Sequence, residues 1–394
     1  MTQRPDDRTA AVTEGFRQMV GHSPTGVWSA PGRVNLIGEH TDYNGGLCLP
    51  IALPQRTYAA VSTRGDRTLR VRSLERPHET VEIDLAEIGP DHPGGWAAYV
   101  AGVLWALERD GHAVPGLDVV VGSSVPVGAG LSSSAALECS VAAAVSDLAA
   151  LGLLESTEGR ARLARLCVEA ENVIAGAPTG GLDQSASLLC AERSALLLDC
   201  RSGETSQVPF DLASRGLTLL VTDTRAPHAL VDGQYAARRA ACEEAARVLG
   251  VDTLREISVD ELDAASARLP DDVVRARVRH VVTEIDRVEQ TVAALGRDDL
   301  AAVGRLFDAS HASLRDDYEV SCPELDVATA TARAHGALGA RMTGGGFGGS
   351  CIAIVPADAV DVVAGAIATA FEAHGYTPPA SFAVVAGGPA ARDA

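Results

Sequence analysis

Apolar and polar positions change rhythm several times along the chain. Val12, Phe16, Met19 and Val20 recur at helical spacing, so residues 1–22 predict a polar start followed by a short helix with one apolar face. Val27–Ala30 and Leu47–Leu53 predict two strands. Residues 57–85 then alternate apolar with polar. That pattern predicts antiparallel strands over Thr57–Thr63, Leu69–Leu74 and Thr80–Leu85, with turns at Arg64-Gly65-Asp66 and Glu75-Arg76-Pro77. An amphipathic helix is expected over Trp96–Arg109 and a strand over Leu117–Ser123. An alanine-rich helix should follow as far as Leu154, and another should span Thr157–Ile174. Gly176–Ser187 reads as a loop that carries Asp183. Further strands are expected over Ala195–Asp199, Leu217–Thr222, Cys351–Val355 and Ser381–Val385. Helices are expected from Tyr235, over Val273–Leu295 and Leu300–Ser313, after Asp326, and near Phe371. This mixture of helices and strands, without repeats, is an α+β pattern. A chain of 394 residues is long for one core, so two domains are expected, 1–210 and 211–394.

The strand Leu117–Ser123 feeds a turn that changes this picture from fold to chemistry. Val125–Glu138 reads VPVGAGLSSSAALE. A glycine-rich turn entering a helix places unpaired backbone N–H groups beside the positive end of the helix dipole, an arrangement that binds phosphate. The serine hydroxyls can bond phosphate or ligate Mg²⁺. An ordinary strand–turn–helix connection with a serine cap is the plainer alternative.

Composition narrows the possibilities. The chain contains no lysine: every one of its 33 basic residues is arginine. A Walker-A loop and the protein-kinase third strand both require lysine, as does Schiff-base chemistry, so all three are excluded. A net charge of −19 argues against nucleic acid or an anionic membrane as partner. The eight cysteines are scattered without a CxxC pair, which fits free thiols in a reducing cytoplasm. No long apolar run predicts a membrane span or a leader segment.

Two further stretches stand out. Between the first two predicted strands lie Arg33, Asn35, Glu39, His40, Asp42 and Asn44. A forked donor, carboxylates, an imidazole and amides in one short connection suit a ligand rich in hydroxyls; solvated loop charges are the alternative. Near the C-terminus, five glycines surround Phe347 in GARMTGGGFGGS, 339–350. So permissive a backbone implies close approach to another loop or to a ligand.

Taken together, these motifs carry a family resemblance. The chain resembles the GHMP small-molecule kinases, and within them the galactokinase family. PGRVNLIGEHTDYNGG at 31–46 is similar to that family's signature, PVGAGLSSSAALE at 126–138 to the superfamily's phosphate loop, and ARMTGGGFGGS at 340–350 to its C-terminal glycine motif. HALVDGQYAARRAACEE at 228–244 and LRDDYEVSCPELD at 314–326 agree as well. The matches run in order from about residue 27 to 355.

The resemblance implies two α+β domains with the active site in the cleft between them. It implies a cytoplasmic, monomeric enzyme that moves the γ-phosphate of ATP to the 1-hydroxyl of galactose with Mg²⁺. By the same resemblance Asp183 is the catalytic carboxylate and Arg33 its partner. Arg33, Glu39, His40, Asp42, Gly180, Asp183 and Tyr235 are the sugar contacts. Gly128, Ala129, Gly130, Leu131, Ser132, Ser133 and Ser134 surround the ATP phosphates, and Ser73 touches the nucleotide. Ser134 and Glu171 are the Mg²⁺ ligands. Phosphoryl transfer through a loose transition state relies mostly on positioning and charge stabilisation, which such a set could supply. N-acetylgalactosamine kinases and other sugar-1-kinases share these motifs, as do non-catalytic galactose and ATP sensors. Thr41, Asn44, DDYEVSCPELD and GGGFGG favour galactokinase over the former; intact Ser134-Ala135, Asp183 and Arg33 argue against the latter.

Overall fold

The computed structural model describes residues 5–90, 92–177, 179–226 and 231–394. Residues 1–4 of the predicted polar start, Pro178 of the glycine-rich loop and His228–Leu230 of the fourth motif lie outside the described residues. The first half of the chain comprises α1 (Pro5–Val20), β1 (Gly26–Asn35), β2 (Leu47–Cys48), β3 (Pro50–Thr63), β4 (Thr68–Ser73), β5 (Arg76–Asp84), α2 (Ala97–Arg109), β6 (Leu117–Ser123), α3 (Ser133–Leu148), α4 (Thr157–Val173), α5 (Leu182–Leu189), β7 (Ser194–Asp199) and β8 (Thr205–Pro209). The second half comprises β9 (Leu217–Asp223), α6 (Val231–Leu249), α7 (Leu262–Ser266), α8 (Asp272–Gly296), α9 (Leu300–Asp316), α10 (Pro323–Ala334), β10 (Gly339–Thr343), β11 (Ser350–Pro356), α11 (Val360–His374), β12 (Ala380–Val384) and β13 (Ala391–Arg392).

Three sheets organise these elements. The largest runs β13-β1-β3-β6-β4-β5 and is antiparallel except where β4 lies parallel to β6. Alternate residues of its strands face opposite cores. Trp28, Ala59, Val61 and Val71 pack with α2, α3 and α4, whereas Val27, Tyr58, Ala60 and Val120 pack beneath Val12 and Phe16 of α1. The period of two dictates this division. The second sheet, β10-β11-β9-β12, is wholly antiparallel and shares a core with α6 and α8–α11. That core also takes in Val34, Leu36, Ile37, Leu49, Ile51 and Leu53 from the first part of the chain, together with Ala129 and Leu131 of the glycine-rich turn. The two halves therefore meet along the very segments that carry the polar motifs. A third, small sheet, β2-β7-β8, lies beside this junction.

Several expected boundaries move. Leu47–Leu53 and Thr57–Thr63 do not form two separate strands, because Pro50–Thr63 runs through as the single strand β3. Arg33 and Asn35 belong to β1 rather than to a loop; their polar groups find partners inside the protein, so the strand continues where its apolar pattern stops. Asp183 lies in the first turn of α5, not in a loop. The alanine-rich helix ends at Leu148, short of Leu154: Ala150 and Gly152 take left-handed conformations and turn the chain back. α6 begins at Val231, ahead of Tyr235. The short strands β8, β10 and β13 carry no alternation long enough to predict them.

Candidate active site

The site begins with an irregularity in β1. Its pairing with β3 shifts register between Pro31 and Arg33, and Gly32 lies so close to the glycine-rich turn that a Cβ there would meet the Leu131 carbonyl oxygen at 2.6 Å. The Arg33 N–H donates to that same Leu131 carbonyl at 3.1 Å. From this position the Arg33 side chain spans two elements. Its Nε donates to Asp183 Oδ1 at 2.8 Å and its Nη1 to the Gly130 carbonyl at 2.6 Å. Burial by itself would lower the Arg33 pKa. Asp183, Glu39 and Asp42 outweigh that and raise it, so the guanidinium stays charged.

The glycine-rich turn is pinned from the other side by the third glycine motif. Ser350 Oγ donates to the Ala129 carbonyl at 2.8 Å, and a Cβ on Gly344 would meet the Gly130 carbonyl at 2.9 Å. The expectation of close backbone approach holds here between two loops. With the carbonyls of Ala129, Gly130 and Leu131 all bonded inward, the turn leads into α3, whose first amides have no intrahelical acceptor. Ser132 precedes the helix at φ 59° and makes no capping bond, and its buried hydroxyl has no partner. The ordinary serine-cap alternative therefore fails at this helix. Ser133 and Ser134 line a cavity of about 290 Å³ together with Ser73, Trp96, Tyr99 and Val127.

A second cavity, of about 210 Å³, lies on the far side of Arg33. Arg33, Glu39, His40, Asp42, Gly180, Asp183 and Tyr235 all line it, joined by Gly38, Thr179, Leu182, Gly344 and Gly345. Residues separated by about 200 positions in sequence are thus brought to one wall-to-wall site. Glu39 is fixed by two donors, Asn35 Nδ2 at 2.6 Å and the Gly344 N–H at 2.7 Å. Asp42 sits against Gly180, where a Cβ would fall 2.1 Å from Oδ2, so only glycine leaves the carboxylate in place. Burial, with Asp183 and Glu39 adding like charge, pushes Asp42 up to about 6. His40, at φ 62°, is lowered to about 3 by burial, with His280, Arg238 and Arg341 adding to the effect, so its imidazole is neutral. Burial and nearby carboxylates raise the Tyr235 phenol, which keeps its proton.

Glu171 projects from α4 toward the head of α3. Gln184 Nε2 donates to Glu171 Oε2 at 2.5 Å, and the Ser134 hydroxyl favours the charged carboxylate. Burial foremost, and Asp183, push Glu171 up to about 7. Gln184 also donates to Glu138 Oε2 at 3.1 Å, so one buried amide bridges two buried glutamates.

The sequence reading missed the layer beneath the cavity. Arg341 is fully buried between Glu39 Oε1 at 3.7 Å and Glu284 Oε1 at 3.9 Å. Glu284 in turn accepts from the Gly38 N–H at 3.0 Å and Ser310 Oγ at 2.6 Å. Arg341 carried a signal, as a charge inside the third motif; Glu284, inside an ordinary amphipathic helix, carried none. Tyr43 and Tyr318 were part of the matched motifs but were given no role, although both pack against His40.

Comparisons with known proteins bear on this geometry. Residues 14–63 match the galactokinase galactose-binding signature, residues 98–191 the GHMP kinases N terminal domain and residues 291–373 the GHMP kinases C terminal family. The chain is 53% identical over 375 residues to the galactokinase of Streptomyces coelicolor, covering 95% of this chain and 96% of that protein. It is 44% identical over 365 residues to the galactokinase of Canis lupus familiaris, covering 90% of each. Among solved structures, the galactokinase of Lactococcus lactis complexed with galactose superposes with a TM-score of 0.91 at 34% identity, covering 97% of this chain and 99% of that one. The mevalonate kinase of Methanococcus jannaschii shares the fold, with a TM-score of 0.64 at 17% identity and coverage of 91% of this chain and 98% of that one. With the family's galactose signature, both GHMP domains and whole-chain identity of this order in agreement, the chain belongs to the galactokinase family of ATP-dependent sugar kinases.

Proposed function

We propose that the 210 Å³ cavity holds galactose and that Asp183 and Arg33 serve the transfer of the ATP γ-phosphate to its 1-hydroxyl, giving galactose 1-phosphate and ADP. One observation carries this reading. Arg33 bonds both the Asp183 carboxylate and the phosphate-type turn, and so joins a candidate base to a candidate phosphate site through a single side chain. Asp183 accepts the proton of the attacking hydroxyl. Arg33 holds Asp183 in place and offers charge to the transferring phosphoryl group. Glu39, His40, Asp42, Gly180 and Tyr235 read the sugar. A site built to bond hydroxyls rejects a sugar that lacks or misplaces one.

On the other side of Arg33, Gly128 to Ser134 embrace the ATP phosphates by backbone and hydroxyl donors. Ser73, Trp96 and Tyr99 line the cavity that takes the base. Ser134 and Glu171 would hold Mg²⁺. The Ser134 hydroxyl favours the charged form of Glu171, and a buried carboxyl pushed up to about 7 is relieved by a cation, so these hard oxygen donors fit the ion. When bound, the ion neutralises charge on the phosphate oxygens. Division of the chain near 210/211 follows the same reading: the matched N-terminal family ends at residue 191, and the second sheet opens with β9 at Leu217. Every residue invoked comes from one chain, so a monomer suffices. Free cysteines accord with a cytoplasmic enzyme.

The deciding experiment is ADP release with ATP and Mg²⁺ against galactose, glucose, N-acetylgalactosamine, arabinose and no sugar. Release with galactose alone supports the reading. Release with a different sugar alone overturns the assignment of residues 39–42. Binding of galactose and ATP without ADP release makes the chain a sensor.

A further inference from the structure

Glu138 closes the motif at 126–138, yet it lines neither of the two cavities. It is fully buried one helical turn beyond Ser134, on the same side of α3. Glu171 comes to the same place from the last turn of α4. Two carboxyls enclosed in a protein interior need hydrogen-bond donors, and the fully buried Gln184 of α5 supplies them. Its Nε2 donates to Glu171 Oε2 at 2.5 Å and to Glu138 Oε2 at 3.1 Å. An amide nitrogen carries two hydrogens, so both are spent on this pair. The Gln184 Oε1 has no partner, so the two glutamates alone anchor the amide by hydrogen bonds. Turning the amide over would set its oxygen against two carboxyl oxygens.

Gln184 also follows Asp183 directly. Successive helical residues point about 100° apart. The first turn of α5 thus sends Asp183 to the sugar cavity and Gln184 into the interior. That turn is itself fixed: Arg33 holds Asp183, and Ser187 Oγ, one turn on, donates to the Pro31 carbonyl at 2.8 Å. Glu171 is therefore held by the neighbour of the proposed base, on a helix tied to β1.

We propose that Gln184 is a positioning residue for Glu171, with Glu138 as its second anchor: the amide commits Oε2 and leaves Oε1 for a divalent cation. The Ser134 hydroxyl also favours the charged carboxylate, but on this reading its oxygen is itself a ligand, whereas Gln184 acts on orientation alone. Mg²⁺ tolerates little departure from octahedral geometry, so a carboxylate oriented in advance binds it better. The proposal rests on the reading that Glu171 holds the metal ion.

The test reads Mn²⁺ binding to the enzyme–ADP complex by electron paramagnetic resonance and galactose binding to the metal-free enzyme by calorimetry. Neither needs turnover. Gln184→Met keeps the volume and removes both donors. It should weaken Mn²⁺ binding about tenfold and leave galactose affinity at the wild-type value. Glu138→Gln still accepts from Gln184 and should bind Mn²⁺ as wild type does, whereas Glu138→Leu should weaken it. Wild-type Mn²⁺ affinity in Gln184→Met overturns the proposal. So does an equal loss of Mn²⁺ and galactose affinity, which a general loosening of α5 would produce. Wild-type Mn²⁺ affinity in Glu138→Leu overturns the part given to Glu138. If Gln184→Met does not fold, Gln184→Asn decides: its amide is one methylene too short to keep both glutamates, and undiminished Mn²⁺ affinity there overturns the proposal. Glu171→Ala separates the two levels. If it too binds Mn²⁺ as wild type does, the metal reading fails as a whole; if it weakens Mn²⁺ while the Gln184 variants do not, only the role of Gln184 fails.

Discussion

Arg33 grips Asp183 with two nitrogens on one oxygen: Nε and Nη2 both lie 2.8 Å from Oδ1. Oδ2 takes no part in this pair. A carboxylate held this way keeps one oxygen committed to its partner and the other available to a substrate hydroxyl. Because the third nitrogen, Nη1, holds Gly130, the carboxylate and the glycine-rich turn cannot move independently of each other. Arginine suits this task because its planar fork offers several donors at fixed angles, which a lysine ammonium does not.

Asp183→Asn should lower kcat by about 10²–10⁴ while ATP binding, read by calorimetry, persists. Arg33→Lys should also cost turnover, because one ammonium cannot serve Asp183 and Gly130 in the same geometry. Turnover near wild type in Asp183→Asn would remove this residue from the mechanism.

Two glycines offer a separation of the substrates. Gly180→Ala would drive Asp42 from its place and should raise KM for galactose about tenfold, leaving KM for ATP unaltered. Gly32→Ala would press on the Leu131 carbonyl and should act chiefly on ATP. Equal effects of both variants on both substrates would contradict the assignment of two adjoining subsites.

The pH dependence of sugar capture should report Asp42. Burial raises this carboxyl to about 6, so below that pH it is protonated and no longer a full acceptor. The specificity constant kcat/KM for galactose should fall as pH drops through about 6, and Asp42→Asn should abolish that inflection. An inflection that survives in Asp42→Asn belongs to another group.

Stability in acid should depend on Glu284. Burial alone would raise its pKa, but Arg287 and Arg341 reverse this and hold it at about 2 against an ordinary 4.5. Its contribution is present above pH 4.5 and is lost as pH falls toward 2, on the order of 3 kcal/mol. Glu284→Gln should flatten that part of the pH–stability curve. Arg341→Leu would remove the buried cation beside Glu39 and leave Glu284 with Arg287 alone, and should cost about 3–5 kcal/mol in chemical denaturation at pH 7. A small loss in Arg341→Leu would show that the carboxylates repack or take up protons.

Removing the Glu171 carboxyl should reach the metal. Glu171→Ala should sharply raise the Mg²⁺ needed for half-maximal turnover, and direct Mn²⁺ binding in the presence of ADP should weaken in parallel. Unchanged metal dependence would place the ion on other groups.

Much of the candidate site was legible before any coordinates, because its residues come in short runs whose composition makes little sense as packing. Glu39, His40 and Asp42 between apolar strands, and three serines at the head of a helix, are local patterns with local causes. The same locality misled where tertiary contacts override it. Arg33 and Asn35 looked like loop residues, yet they continue a strand because Asp183, Gly130, Glu39 and Thr343 satisfy their polar groups. Asp183 looked like a turn residue among glycines, yet it begins a helix.

The sequence by itself determined the mixed α+β class, the absence of lysine-based nucleotide loops, and which short runs are candidates for the chemistry, since periodicity, composition and motif spacing are properties of neighbours along the chain. Only the tertiary structure decided that the third glycine motif braces the phosphate-type turn, that Arg341 lies between two buried glutamates, and that Tyr318 reaches His40 through Tyr43. Apart from the Arg341–Glu284 pair, those relationships join residues about 200 to 300 positions apart. They depend on how two cores close on each other, and no local pattern encodes a partner at that distance.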